Sequence, residues 1–189
     1  MPTTTIKHVL FTKFLKCVVF TPLAISFINP NALKSGVEFQ WNNQDNFKRL
    51  NWYQRDNKKS ARNTVFLFLR KSDRKTGLLN VNVKVPKAFF SKIKKEKVNL
   101  CQVQIGGFTN KTKCLVNTPA DIELNKEKNT IDIFPSSPIP SDKDNYAIVF
   151  NVINPNRGGL YQFHSFGQSS GNIPVSFYLG SWTLKMQSQ

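Results

Sequence analysis

Histidine, acidic residues and cysteine are scarce in this sequence of 189 residues, and each shortage narrows the classes of function. With 2 His, there is little material for a site that needs several imidazoles. A phosphate-binding Walker loop and an HExxH zinc motif are also missing from the sequence. The 11 Asp and Glu face 27 Lys and Arg, and this imbalance favours anionic partners.

The chain has enough apolar material for a folded core. Hydrophobic residues make up 40% of the sequence and 16 residues are Phe, which excludes general disorder and a collagen-like fibre. The length allows one compact domain with a leader. We find no internal repeat, no heptad pattern and no sign of a second domain.

Residues 1–32 have the order of a secretory signal peptide, because three lysines precede the short apolar run 17–28. Twelve residues at about 1.5 Å each do not span about 30 Å of hydrocarbon, so a transmembrane anchor is the weaker interpretation. An uncleaved helix at the membrane interface is the alternative. Cleavage is expected after Ala32, and export to the periplasm, cell envelope or thylakoid lumen would follow.

Removal of this leader leaves Cys101 and Cys114, which an exported protein would join in a disulfide. An alternating run precedes Gly106 and Gly107, and a polar stretch follows them, so a hairpin could bring the two cysteines together. The bridge would add roughly 3 kcal/mol by the loop-entropy argument. Two buried thiols are the alternative.

The positive charge lies in the first half of the mature chain. Residues 34–97 contain 17 basic and 5 acidic residues, whereas residues 98–189 contain 7 and 6. Such a field attracts an anionic envelope polymer, an anionic lipid surface or a membrane-protein complex. A lysine-rich composition without any ligand is the alternative, since there are 21 Lys and 6 Arg. The candidate binding residues are Lys48, Arg49, Trp52, Arg55, Lys58, Lys59, Lys92, Lys94 and Lys95.

Nucleic acid is the less favoured partner. Trp52 and Tyr53 stand among cations, as in proteins that bind single strands. The export signal and the lack of any known nucleic-acid motif argue against that interpretation.

Short apolar or alternating runs follow the basic segment and are separated by Gly, Pro, Asn and Ser. In 78–85, apolar and polar residues alternate with the period of a half-buried strand. We therefore expect an all-β, immunoglobulin-like sandwich of about seven or eight strands in residues 63–189, preceded by a basic polar lead-in over 33–62. The predicted strands are 64–70, 78–85, 98–105, 130–134, 146–153, 160–166 and 175–184.

One segment breaks the strand pattern. Pro86 opens a run in which Phe89, Phe90 and Ile93 share a helical face, and lysines cluster toward its end. This pattern predicts one short helix that crosses between strands.

The sequence has few residues that could support catalysis or bind a metal. We therefore expect no catalytic site, cofactor or metal. His164 is the one histidine of the mature chain, and it alternates with aromatic residues as a strand residue does. Nothing in the sequence pairs Glu123 with Asp132 as acid and base. An envelope hydrolase or carbohydrate-active enzyme that uses His164 or an acidic pair is the first alternative. A periplasmic copper-binding sandwich with Met186 is the second.

The segment 154–159 predicts a structural turn between two strands. Asn154 and Pro155 give an extended entry, and Gly158 and Gly159 supply a positive φ before the next strand.

The region around this turn resembles a cyanobacterial family known as domain of unknown function 2808. The resemblance rests on YAIVFNVINPNRGGLYQFHSFGQ and IPVSFYLGSWTL, and covers residues 60–185. LCQVQIGGFTNKTKCLV and IDIFPSSPIP are similar to its marine picocyanobacterial branch, in which the two cysteines occur. The resemblance implies an exported β-rich domain of the envelope or thylakoid lumen. It implies no catalytic residue. The matching residues are Asn154, Pro155, Gly158 or Gly159, Tyr161, Phe163, Leu179 and Gly180.

Overall fold

Two antiparallel sheets of five strands each enclose the apolar residues of the alternating runs. The structure is a computed structural model that describes residues 48–170 and 175–187. The signal segment predicted over 1–32, and the part of the lead-in up to residue 47, lie outside the described residues. All described residues belong to one compact unit, Trp41–Gln189. The prediction of an all-β sandwich is confirmed.

The described part of the chain has ten strands, whereas the sequence predicted seven or eight. Two of the three extra strands lack a clear alternation of buried apolar residues: Trp52–Gln54 is three residues long, and Lys113–Thr118 is mostly exposed. The third, Ala120–Asn125, does alternate, with Ile122 buried, but it is not among the strands predicted from the sequence. In chain order the strands are β1 (Trp52–Gln54), β2 (Arg62–Leu69), β3 (Leu78–Lys84), β4 (Val98–Gln104), β5 (Lys113–Thr118), β6 (Ala120–Asn125), β7 (Thr130–Pro135), β8 (Tyr146–Ile153), β9 (Gly159–Ser169) and β10 (Ser176–Met186).

The strand order is that of an immunoglobulin sandwich with an insertion. The first sheet has the order β1-β2-β8-β4-β5 and the second has the order β10-β9-β3-β7-β6. Strands A, B, E and D of the immunoglobulin fold correspond to β1, β2, β8 and β4, and strands C, F and G correspond to β3, β9 and β10. The additional strands β5, β6 and β7 lie between D and E along the chain. They extend both sheets at the same side of the sandwich.

A tyrosine near the start of β9 supports this assignment. Tyr161 donates a hydrogen bond through its hydroxyl to the carbonyl oxygen of Arg157, at 2.8 Å. Immunoglobulin-like domains place a tyrosine at the same corner, before strand F, with the same bond back to the chain. The disulfide differs, because it lies within one sheet instead of joining two.

Side chains of β2 alternate between two apolar clusters. Val65, Leu67 and Leu69 point into the main core between the sheets. Phe66 and Phe68 point to the outer face of the first sheet, where they pack in a second cluster that includes Cys101 and Val103 on β4, as well as Ala147 and Val149 on β8. Both faces of this sheet therefore carry apolar contacts.

The segment before β1, residues 48–51, closes one edge of the sandwich and is called the edge segment below. The backbone nitrogen of Leu50 donates to the carbonyl oxygen of Ser181 at 2.8 Å. The backbone nitrogen of Ser181 donates to the carbonyl oxygen of Lys48 at 2.7 Å. Two residues later, the chain pairs with β2 of the other sheet. The leucine side chain is 1% exposed. Residues 48–62, which the sequence assigned to a lead-in, thus contribute to the sandwich.

The predicted crossing helix is only one turn long, Lys87–Phe90. A turn of 3-10 helix follows at Lys95–Lys97 and leads directly into β4. Phe89, Phe90 and Ile93 are buried in the main core, as the helical pattern required. Within the described ranges, none of the helices has the length and apolarity needed to traverse a bilayer.

Candidate functional site

The outer face of the first sheet contains a groove with five cationic side chains. Its volume is about 670 Å³. Val152, Ile153, Thr64 and Asn151 line it between the cations, and no carboxylate side chain of the described residues lines it. The cations are Arg55, Arg62, Lys92, Lys94 and Lys97.

Strand pairing brings these cations together from three separate parts of the chain. Arg62 lies opposite Ile153, and Thr64 lies opposite Asn151, in the antiparallel pairing of β2 with β8. The backbone nitrogen of Arg55 donates to the carbonyl oxygen of Thr64 at 3.1 Å, which continues the pairing beyond β1. The groove therefore depends on contacts between residues almost a hundred positions apart.

The lysines after the one-turn helix divide between two directions. Lys92, Lys94 and Lys97 line the groove. Lys95 instead forms an ion pair with Asp121, with 3.1 Å between Nζ and Oδ1. The sequence selected Lys95 and left out Lys97 and Arg62, because charge clustering along a chain does not show where a side chain points.

The side chain of Lys48 makes a structural hydrogen bond, although the residue is exposed. Its Nζ donates to the carbonyl oxygen of Asp73, and partial burial is the main cause that lowers its pKa, partly opposed by the nearby Asp73 carboxylate. The Asp73 carboxylate is itself held by two nitrogens of Arg70, at 2.9 and 3.0 Å. Lys48 thus fixes the start of the edge segment.

Of the remaining predicted binding residues, Arg49 and Lys58 line other, smaller cavities. Arg49 lines a cavity of about 550 Å³ near the disulfide hairpin. Lys58 lines one of about 500 Å³ together with Arg55 and Asp56. Lys59 is partly buried, and Trp52 packs against the main core. The structure therefore brings Arg55, Lys92 and Lys94 into the groove and leaves the other predicted residues outside it.

The predicted turn holds the loop that carries Arg55. Asn154 is 1% exposed, and its Nδ2 donates to the carbonyl oxygens of Asp56 at 3.1 Å and Lys58 at 2.8 Å. Its Oδ1 accepts a bond from Nδ2 of Asn63 at 2.9 Å. The asparagine of this turn therefore positions one wall of the groove.

The positive φ predicted for the glycine pair lies at Gly159, with φ of +135°. Pro155 is buried, and its carbonyl oxygen accepts a bond from the nitrogen of Ser60 at 3.3 Å. Gly158 is not among the described glycines with positive φ.

His164 lies within hydrogen-bond distance of a serine. Its Nδ1 is 2.8 Å from Oγ of Ser181, and the hydroxyl of Tyr178 is 2.6 Å from the same oxygen. Ser181 is 0% exposed, and its backbone is bonded to Leu50 and Lys48. Partial burial, followed by the charge of Lys84, lowers the pKa of His164. No carboxylate hydrogen-bonds to this imidazole among the described residues.

Residues 167–171 have the spacing Gly-x-Ser-x-Gly, which in hydrolases marks a serine at a turn between a strand and a helix. Here the serine, Ser169, is the last residue of β9 and pairs with Leu78 of β3. Its nitrogen donates to the carbonyl oxygen of Val175 at 3.2 Å, in the approach to β10. The described residues therefore place Ser169 at the end of a strand.

Glu123 and Asp132, which the sequence did not pair, lie directly opposite each other on β6 and β7. They line a shallow cavity of about 510 Å³ together with Glu127. Both oxygens of Asp132 already accept hydrogen bonds, one from Asn82 and one from Thr130. These neutral donors satisfy the carboxylate as a structural group.

The two cysteines form the predicted disulfide, with 5.7 Å between their Cα atoms. Cys101 is 0% exposed and packs in the outer cluster. Met186, the methionine of the copper alternative, is 1% exposed. Across residues 48–170 and 175–187, no group of three or more His, Cys, Asp or Glu is arranged to hold a metal.

Arg74 is a buried cation that the sequence did not single out. It is 4% exposed, and its guanidinium lies 5.2 Å from the centre of the Tyr146 ring. It donates only to carbonyl oxygens: those of Leu69, Pro140, Lys143 and Asp144. Burial is the main cause that lowers its pKa. Arg74 thereby fixes the loop before β8 to the end of β2.

Comparison with known families identifies the chain's relatives. Residues 39–186 match the family described as "Protein of unknown function (DUF2808)". The chain belongs to this family. The resemblance drawn from the turn and the closing strands is thereby confirmed. Among curated proteins, no significant match exists.

Several solved structures are similar to this chain at low sequence identity. The collagen-binding domain from a Staphylococcus aureus adhesin is 14% identical, with 72% of this chain and 97% of that chain covered and a TM-score of 0.40. BslA, a bacterial hydrophobin, is 10% identical, with 76% and 97% covered and a TM-score of 0.47. The collagen-binding subdomain of the Enterococcus faecalis surface protein ACE is 12% identical, with 71% and 95% covered and a TM-score of 0.37.

Proposed function

We propose that this member of the DUF2808 family is an exported, non-enzymatic sandwich that docks on an anionic partner through the basic groove. The observation that carries the proposal is the convergence of Arg55, Arg62, Lys92, Lys94 and Lys97 on one groove without a carboxylate among its described lining residues. The positive fields of neighbouring cations add when no carboxylate lies among them. Such a cluster forms a site for a polyanion, since it attracts the polyanion at long range and releases its counterions on contact.

The disulfide supports the exported part of the proposal. Cys101 and Cys114 are bonded, and such bonds persist mainly in oxidising compartments. An envelope or thylakoid lumen of a cyanobacterium, which the family resemblance implies, would provide that environment. Fractionation of native cells, followed by detection of the chain in each fraction, tests the compartment.

The geometry around the candidate catalytic groups favours binding over catalysis. The hydroxyl that contacts His164 belongs to Ser181, which is 0% exposed, and a nucleophile must be open to substrate. Asp132, which lies opposite Glu123, accepts a hydrogen bond from a neutral side chain at each oxygen, and these bonds fix its carboxylate within the sheet. A hydrolase assay on acidic and neutral glycans that detected turnover would contradict the non-enzymatic part.

The docking part is tested by retention on an anionic matrix. We compare the full chain with a variant that removes four groove charges, R62Q/K92Q/K94Q/K97Q. At 50 mM salt we expect retention to weaken by about tenfold or more, since each exposed ion pair contributes roughly 0.2–1 kcal/mol. The salt concentration for elution is the measurement.

The matched control changes the same number of charges elsewhere. Lys71, Lys75, Lys143 and Lys185 are exposed and lie outside the groove, so K71Q/K75Q/K143Q/K185Q has the same net charge as the groove variant. We expect it to elute close to the parent protein. Equal losses in the two variants would mean that net charge alone causes retention, and the docking proposal would fail.

A further inference from the structure

We infer that the partner of the groove is a linear acidic polysaccharide that lies across the strands of the first sheet. This inference rests on the proposed docking function and narrows it to one class of ligand. The observation behind it is a row of side chains in which a neutral hydrogen-bonded pair lies between two cations.

The row crosses four neighbouring strand positions. Arg55 lies beside Thr64, Thr64 lies opposite Asn151, and Lys97 directly precedes Val98, the partner of the residue before Asn151. Neighbouring strands are about 4.8 Å apart, so the backbone positions of the two end cations are separated by about 14 Å. A short oligosaccharide spans such a length, whereas a single phosphate or sulfate group does not.

The middle of the row suits hydroxyl groups better than anions. Thr64 donates from Oγ1 to Oδ1 of Asn151 at 2.7 Å, and this bond orients the amide. Asn151 is exposed, so its amide nitrogen can donate to a ligand and its oxygen can accept. Sugar hydroxyls both donate and accept, and the phosphate oxygens of a polyphosphate can only accept.

An apolar side chain completes the match to a sugar ring. Ile153 lies opposite Arg62 at the next position along the strands and is 49% exposed. It gives the groove an apolar surface beside the neutral pair, on which the C–H face of a sugar can rest. The cations then meet carboxylate or sulfate groups carried by neighbouring sugars.

The shape of the site favours a strand of polymer over a bilayer. Arg55 and its loop form one wall of the groove, and the segment with Lys92, Lys94 and Lys97 forms the other. Ile153 lies between these walls. A flat membrane surface would meet the cations on the walls without reaching this residue, whereas a single polysaccharide chain can lie between them.

Binding of oligogalacturonate to the full chain, measured by calorimetry at low salt, tests the inference. The informative variant is T64V/N151V, which removes the neutral pair and keeps every charge. We expect its affinity for oligogalacturonate to fall about tenfold, because two neutral hydrogen bonds are lost. Its affinity for inorganic polyphosphate should stay within about twofold of the parent, because the cations that bind it remain.

A matched control exists on the same face of the sheet. Asn99 donates from Nδ2 to Oδ1 of Asn117 at 3.4 Å, outside the groove lining. The variant N99V/N117V should bind oligogalacturonate as the parent does. Fully methyl-esterified oligogalacturonate, which has the same sugars without charge, should bind at least about tenfold more weakly than the acid. Dextran sulfate distinguishes sulfate from carboxylate as the charged group.

Different results would overturn different statements. If T64V/N151V binds oligogalacturonate as tightly as the parent while R62Q/K92Q/K94Q/K97Q does not bind, the polysaccharide inference fails and the docking function stands. Groove-dependent binding to vesicles that contain phosphatidylglycerol, without binding to oligogalacturonate, would identify a bilayer as the partner. That result would also overturn the inference. If the four-charge variant binds every anion as the parent does, both statements fail.

Discussion

Asn63 and Asn154 join their side-chain amides in a buried hydrogen bond of 2.9 Å, although they are separated by 91 positions. Asn63 also accepts a bond from the nitrogen of Asp56 through its Oδ1, at 3.0 Å. Together the two amides hold the loop between β1 and β2 against the turn between β8 and β9. This link connects the structural turn of the family to the wall of the basic groove.

Replacement of Asn154 tests this connection. In N154A, the carbonyl oxygens of Asp56 and Lys58 and the amide of Asn63 lose their partner. The free energy of unfolding should fall by about 1–3 kcal/mol, the usual cost of buried polar groups without a bond. Urea unfolding measures the loss, and binding to the anionic matrix should weaken as the Arg55 wall loosens. N156A, at an exposed neighbour, should change neither quantity; an unaffected N154A would contradict this account of the turn.

Position 180 requires a glycine, both for its backbone conformation and for the space around it. Its φ is +144°, and a Cβ there would lie 2.7 Å from Cγ of Leu50 and 2.7 Å from the carbonyl oxygen of Lys48. We expect G180A to lose about 1–3 kcal/mol from backbone strain alone. The edge segment should also detach, which would speed tryptic cleavage after Lys48 and Arg49.

Gly107 provides the control for this glycine, since a Cβ there would meet nothing within 4 Å. G107A should unfold at the same urea concentration as the parent. Resistance of G180A to trypsin equal to that of G107A would show that the edge segment does not depend on Gly180.

Arg74 should be one of the most sensitive charged positions outside the groove. The variant R74M keeps an apolar stem and leaves four carbonyl oxygens without their donor. The loss should be on the order of 3 kcal/mol or more, because bonds to a charged donor are stronger than neutral ones. Thermal unfolding measures it. K75M, at the exposed adjacent position, is the comparison; equal stability of the two variants would remove the structural role assigned to Arg74.

His164 should make the stability of the fold depend on pH in one direction. Burial and Lys84 lower its pKa in the folded state from the ordinary value of 6.5. The unfolded chain therefore takes up the proton first as the pH falls. The contribution of His164 to stability is complete above about pH 6.5 and is lost as the pH drops through the lowered folded-state pKa.

Urea midpoints at pH 7.5 and pH 5.5, for the parent and for H164Q, measure this dependence. The parent should lose stability between the two pH values, and H164Q should lose less, because glutamine does not titrate. The same decline in both proteins would assign it to other groups, such as the carboxylates.

The fold class was predictable because strand alternation is a local property. In β3, Val81 and Val83 are buried between exposed or partly buried neighbours, in the order that the sequence shows. The missed strand β5 has apolar residues on exposed positions: Leu115 is 58% exposed and Val116 is 57% exposed. The position of β5 depends on the disulfide hairpin and the pairing with β4, and no local pattern records it.

The candidate site was predictable only as a region of charge. Composition identified Arg55, Lys92 and Lys94 as neighbours of other cations along the chain, and the groove does contain them. It also selected Lys95, which turns to Asp121, and Lys48, which bonds to a backbone oxygen. The direction of a side chain depends on strand register and on the length of the helix, and the helix proved to be one turn long.

By itself, the sequence determined the β architecture, the pairing of Cys101 with Cys114 and the family, because these follow from periodicity, from few cysteines and from a contiguous motif. Only the tertiary structure decided which cations share a groove and which residues support it. Arg62 lines the same groove as Lys97, and Asn63 bonds to Asn154, through the antiparallel pairing of β2 with β8 and the packing of the segment before β4. The physical reason is that long-range strand register, which sets these contacts, depends on the packing of the whole core.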